Sequence, residues 1–119
     1  MDELAYRAGV EPMSFRLQHL SGQTRLARCL TIATAMGGWQ GGAMGSGQGV
    51  AVHAMDGGFI AVLVDAEMTS GKLHVRRMVA AADLGAQPNP DIARQQIEGG
   101  LIFGLASAMG GAAHYKGGM

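Results

Sequence analysis

Apolar residues recur along this chain with two different periods, helical up to about Met36 and alternating from Val50 onward. Asp2 is placed to cap a short helix through Arg7, and Gly9 can end it in the left-handed conformation. Pro12 suits the first turn of a second helix, where Met13, Phe15, Leu17 and Leu20 give an imperfect apolar face before Ser21-Gly22. A third helix is predicted from Thr24 to Met36. Leu26, Ala27, Leu30, Ala33 and Thr34 share one side of it, with Arg25, Arg28 and Thr31 toward the other. The stretch from Gly37 to Gly49, GGWQGGAMGSGQG, is too rich in glycine for a regular element and reads as a connector.

Beyond the connector, Val50, Val52 and Ala54 alternate with Ala51 and His53 as in a strand. Second and third strands are predicted over Phe59–Met68 and Leu73–Asp83, joined at Thr69-Ser70-Gly71-Lys72. Pairing Met68 with Leu73 sets Glu67 opposite His74, Asp65 opposite Arg76 and Val62 opposite Val79, which satisfies charge and packing together. After Asn89-Pro90 a long helix is expected from Asp91 to Met109, with Ile97, Leu101, Leu105 and Ala108 as its buried stripe. Gly99, Gly100, Gly104 and Ala106 leave room on it for a close neighbour. The fold class is α+β: N-terminal helices over 1–36, a connector at 37–49, and a three-stranded antiparallel meander plus helix over 50–109. Residues 110–119 read as a divergent tail.

A chain of 119 residues suits one small domain, which buries only about two-thirds of its unfolded surface. Hydrophobic residues make up 48% and charged residues 15%, so part of the apolar surface is expected to lie against other protein. The nine basic and nine acidic side chains cancel and are interspersed, which argues against nucleic-acid binding. No apolar run has the roughly 20 residues of a membrane helix, and Met1-Asp2-Glu3 does not resemble the basic start of a signal peptide. Cys29 is the single cysteine and is expected to be a buried small hydrophobe.

The histidines, His19, His53, His74 and His114, have neither i,i+4 pairing nor acidic partners at ligand spacing, so no metal site is expected. Asp65 and Glu67 share a strand face and read as salt-bridged rather than as an acid/base pair. Ser46 lacks the helix that a nucleophile elbow requires, and the glycine connector lacks the lysine and following helix of a phosphate loop. Gln95 and Gln96 stand near the start of the last helix beside small residues. There a carboxamide can donate to and accept from a polar ligand, although solvated glutamines on an exposed face fit the same pattern.

Two stretches carry a resemblance: Val79-Ala80-Ala81-Ala82-Asp83-Leu84-Gly85, followed by Asn89-Pro90-Asp91, and Gln96-Ile97-Glu98-Gly99-Gly100-Leu101-Ile102-Phe103-Gly104-Leu105. With Gly71-Lys72-Leu73-His74-Val75, Gly49-Val50-Ala51-Val52-His53 and the opening Met1 to Arg16, they resemble the molybdopterin-binding large subunits of the xanthine dehydrogenase and aldehyde oxidase family. The isoquinoline 1-oxidoreductase beta-subunit type is the nearest in look. The resemblance implies an oxidoreductase that hydroxylates aldehydes or electron-poor N-heterocycles with oxygen from water. It also implies a molybdopterin cofactor in the full-length parent, and a [2Fe-2S] small subunit in addition to the remainder of the large subunit. It assigns the cofactor-side glutamine to Gln96 and close packing to Gly99 and Gly100.

The family's catalytic glutamate lies in a downstream Gly-x-Gly-Glu segment, which residues 1–119 do not contain. No catalytic residue is therefore expected here, and no cofactor is expected on this chain alone. Leu84 stands where many relatives have cysteine, and Gly110 to Lys116 leave the family pattern. The competing reading is a stand-alone α+β interaction module, homodimeric and without catalysis. The substrate, the electron acceptor and the compartment are not legible in these residues.

Overall fold

The computed structural model describes residues 1–41, 47–86 and 89–110. Its elements are α1 (Asp2–Ala8), α2 (Pro12–His19), α3 (Thr24–Gly37), β1 (Gln48–Met55), β2 (Gly58–Thr69), β3 (Lys72–Asp83) and α4 (Pro90–Ala108). This is the α+β order that the hydrophobic periods predict. The chain forms two compact units, Met1–Gly85 and Ala86–Met119.

In the first unit, α1 ends at Gly9, whose φ of 67° is the left-handed stop expected from its missing Cβ. Its cap differs from expectation. Met1 holds the N-cap position, and Asp2, inside the first turn, pairs instead with the buried Arg16 of α2 at 2.6 Å. The carboxylate thus ties two short helices that could not persist separately. Glu11 caps α2 by accepting from the backbone N–H groups of Met13 and Ser14, each at 2.9 Å. Pro12 fills the first helical position, where no N–H partner is needed.

Helix α3 buries Leu26, Cys29, Leu30, Ala33, Thr34 and Gly37 along one side, a 3.6-residue stripe laid on one face of the sheet. The sheet presents Val50 and Val52 from β1, Phe59, Ala61 and Leu63 from β2, and Val79 and Ala81 from β3 to that core. Ala27, expected on the buried side, is only half-buried, while Cys29 takes its place in the core. Gly37 is a necessity of packing rather than part of the connector. A Cβ there would lie 2.9 Å from the side chain of Leu63, closer than real contacts allow. Thr34 is buried without cost because its hydroxyl donates to the Leu30 carbonyl at 2.8 Å.

The strands form an antiparallel meander in the order β1-β2-β3. Both hairpins turn on two residues with positive φ, Asp56 and Gly57 in one, Ser70 and Gly71 in the other, the geometry of tight hairpin turns. Near the second turn the pairing is as predicted, Met68 with Leu73 and Glu67 with His74. Farther along it is not. A bulge between Asp65 and Ala66 shifts the register, so Asp65 pairs with Arg77 and Val62 with Ala80, rather than with Arg76 and Val79. The bulge lets two arginines converge on one carboxylate: Arg76 reaches Asp65 at 3.1 Å and Arg77 at 3.5 Å. Arg77 also donates to the Gly37 carbonyl at the end of α3. An alternating pattern cannot reveal such an insertion, because it sees period and not pairing.

Helix α4 belongs to the second unit. The side-chain oxygen of Asn89 caps it by accepting from the Ile92 N–H at 3.2 Å, and Pro90 occupies its first turn. None of its residues is buried. Ile97, Leu101 and Leu105 are only half-buried and Ala108 is exposed, so the stripe predicted to be buried is only partly so.

Candidate functional site

Along α4, side chains three, four and seven apart share a face. Ile92, Gln95, Gln96, Gly99, Gly100 and Phe103 together line one shallow, open groove on its surface. Gln96 therefore stands where the helical spacing sets it, one turn before the glycine pair. The side-chain amides of Gln95 and Gln96 are exposed, and neither is hydrogen-bonded among the described residues. Added Cβ atoms on Gly99, Gly100 and Gly104 would meet nothing within 4 Å. Phe103, 77% exposed, sits seven residues beyond Gln96 on the same face. Sequence reasoning misses it, although its spacing from Gln96 is the signal.

Glu98 turns away from chemistry. Its carboxylate accepts from Arg94 at 3.0 Å across one helical turn, both side chains being well exposed. Such a pair adds a few tenths of a kcal/mol to a helix and leaves no free base.

Elsewhere the charged groups serve the fold. Asp65 and Glu67 are both engaged by Arg76, at 3.1 and 3.7 Å, so neither is an unpaired acid or base. Asp83, at the end of β3, accepts two hydrogen bonds from Arg25 of α3 at 2.8 and 2.6 Å. The guanidinium lies 4.7 Å over the Phe59 ring. That bidentate contact, with the Gly85 N–H, holds the Asp83 carboxyl down at about 2. Arg25 and Asp83 are distant in sequence and no local pattern pairs them. Cys29 is buried, and burial together with the nearby Asp83 charge pushes its thiol up, so it is protonated and unreactive at neutral pH.

His19 donates from Nδ1 to the Phe15 carbonyl at 2.8 Å, and its ring lies tilted against the Phe15 ring with centroids 4.3 Å apart. Among the described residues no three His, Cys, Asp or Glu side chains gather as a metal site. Ser46, His114 and much of the glycine connector lie outside the described residues. The ends of the connector are held. Gln48 accepts from the Gln40 N–H at 2.9 Å and donates to the Gly38 carbonyl at 3.2 Å, while Trp39 donates to Glu11 at 2.7 Å. No helix among the described residues is long and apolar enough to cross a membrane.

The fold is α+β, with an open groove along α4, and sequence comparison gives its class. Residues 20–118 match the molybdopterin cofactor-binding domain, and the chain belongs to that family. It is similar to the beta chain of the isoquinoline 1-oxidoreductase of Brevundimonas diminuta, with 30% identity over 92% of this chain and 15% of that protein. It is also similar to a subunit of the nicotinate dehydrogenase of Pseudomonas putida, with 33% identity over 86% of this chain and 10% of that protein. The chain therefore spans less than a fifth of the length of the curated relatives it matches. No solved structure matches it.

Proposed function

We propose that this chain is a segment of the large subunit of a molybdenum hydroxylase, and that α4 lends part of its molybdopterin-binding surface. The observation that carries this reading is the groove of α4, where two carboxamides with no hydrogen-bond partner among the described residues adjoin a glycine pair. A pterin is a flat heterocycle whose edge alternates donors and acceptors. A carboxamide, which donates through its NH₂ and accepts through its oxygen, matches that edge where a charged side chain would not. Gly99 and Gly100 leave bare backbone on which a planar ring or another backbone can settle. The residues present thus fit the group.

In this reading Gln96 orients the cofactor by hydrogen bonding, and Gly99 and Gly100 set the distance of approach. When bound, the molybdenum cofactor supplies the oxygen transfer and redox capacity. The substrate is an aldehyde or an electron-poor N-heterocycle, and the names of the relatives, which carry isoquinoline and nicotinate, favour the N-heterocycle. Electrons pass to a [2Fe-2S] small subunit. Proton transfer is assigned, on the family resemblance, to the glutamate of a Gly-x-Gly-Glu segment that residues 1–119 do not contain.

The test is Gln96→Ala in the longer polypeptide encoded by the surrounding reading frame. Molybdenum measured by elemental analysis and pterin released on denaturation should fall together, several-fold, with circular dichroism unchanged. Full molybdenum content in the variant would remove Gln96 from the site.

A further inference from the structure

Phe103 is the single aromatic residue of α4, and it lines the groove that Gln96 lines. Gly99 and Gly100 follow Gln96 by three and four residues and precede Phe103 by four and three, so each glycine neighbours both on the helix surface. The carboxamide and the ring thus bracket a strip of bare backbone. Nothing else on α4 fills that strip: a Cβ added to either glycine would meet no described atom within 4 Å, the Phe103 ring included. The other two phenylalanines are engaged, Phe15 against His19 and Phe59 beneath Arg25. Phe103 makes no such ring contact among the described residues. The arrangement is internal to α4.

We infer that Phe103 is a second positioning residue for the cofactor, a platform against which the flat face of the pterin rests while Gln96 reads its edge. The inference rests on the proposed function and deepens it. A flat heterocycle presents two kinds of surface, an edge of donors and acceptors and two π faces. A carboxamide satisfies the edge and does little for the face. An aromatic ring serves the face, because offset or edge-to-face contact between π systems adds to what apolar area alone contributes. The large apolar side chains of α4 apart from Phe103, namely Ile92, Ile97, Leu101, Ile102 and Leu105, are aliphatic, and only Ile92 among them lines the groove. A groove shaped solely for close approach of another helix needs the glycines and has no use for a ring. The ring beside the glycines therefore points to a planar occupant.

The experiment places Phe103→Leu, Phe103→Tyr and Phe103→Trp in the longer polypeptide and measures the pterin released on denaturation. Leucine should lower pterin content several-fold, while tyrosine and tryptophan should keep most of it. A second readout is the fluorescence of the indole introduced by Phe103→Trp, taken as the difference from the parent protein. It should be strongly quenched in the loaded protein and bright in the same variant produced by cells that make no pterin. Full pterin content in Phe103→Leu would overturn the inference, as would an indole equally bright with and without the cofactor. Pterin lost alike in all three variants would mean that the position serves packing, and would also overturn it. A parent polypeptide that contains no pterin defeats the functional reading itself. Pterin lost with Gln96→Ala but kept with Phe103→Leu defeats only this inference.

Discussion

Glu11 receives four hydrogen bonds, from the Met13 and Ser14 backbone N–H groups, the Ser14 hydroxyl and the Trp39 indole. One carboxylate thereby caps α2 and anchors the start of the glycine connector. Burial acts to raise its pKa, but the donors together outweigh burial and hold it below the usual 4.5. A carboxyl whose folded value is depressed gives stability that is complete above its unfolded value and lost as pH falls through the folded one. Glu11→Gln should therefore flatten the loss of thermal stability as pH falls below 4.5, and lower stability near neutrality by about 1 kcal/mol. Thermal melts of both proteins across that range check it; parallel curves would exclude the role. Asp83, held at about 2 by Arg25, keeps its contribution to still lower pH and so remains in the background. The Glu11 cap was not legible from local sequence, because the usual cap residues are shorter and Trp39 is remote.

Among the elements, α4 shows most clearly how function and stability can pull apart. Gly99 and Gly100 interrupt a helix on which an added Cβ would meet nothing within 4 Å among the described residues, so their presence costs helix stability within α4. Gly100→Ala should stabilise α4 in the isolated chain by about 0.5–1 kcal/mol, read as increased helicity by circular dichroism. In the longer polypeptide the same change should lower molybdenum content if the glycine keeps a place for cofactor or backbone. A gain in both would make the glycine incidental. The helix and its Asn89-Pro90 start were legible because cap and breaker are local signals. That some apolar surface would stay exposed was expected from composition and from the reading as a segment; periodicity alone says which side of α4 seeks cover. The bulge in β3 is the strand counterpart. The Asp65–Arg76 contact was anticipated and is made at 3.1 Å, yet the register beyond it slips by one, and only the ladder shows this.

For the whole molecule, the core cluster of Cys29, Leu30, Ala33, Val50, Ala61 and Leu63 falls entirely in the unit Met1–Gly85. Residues 1–85 alone should accordingly unfold cooperatively in urea, with a midpoint close to that of the full chain; a broad, non-cooperative transition would show that the second unit is needed. The sequence by itself determined the order of elements, the two hairpins, the buried cysteine and the neutral charge balance, because helix caps, glycine turns and hydrophobic periods act over a few residues. It also carried the family resemblance and, through it, Gln96 as the cofactor-side residue proposed above. Only the tertiary structure decided that Arg25 pairs with Asp83 and Trp39 with Glu11, where the strand register breaks, and that Gly37 packs against Leu63. Those facts depend on atoms far apart along the chain meeting, or failing to meet, in space, and no local pattern encodes that meeting.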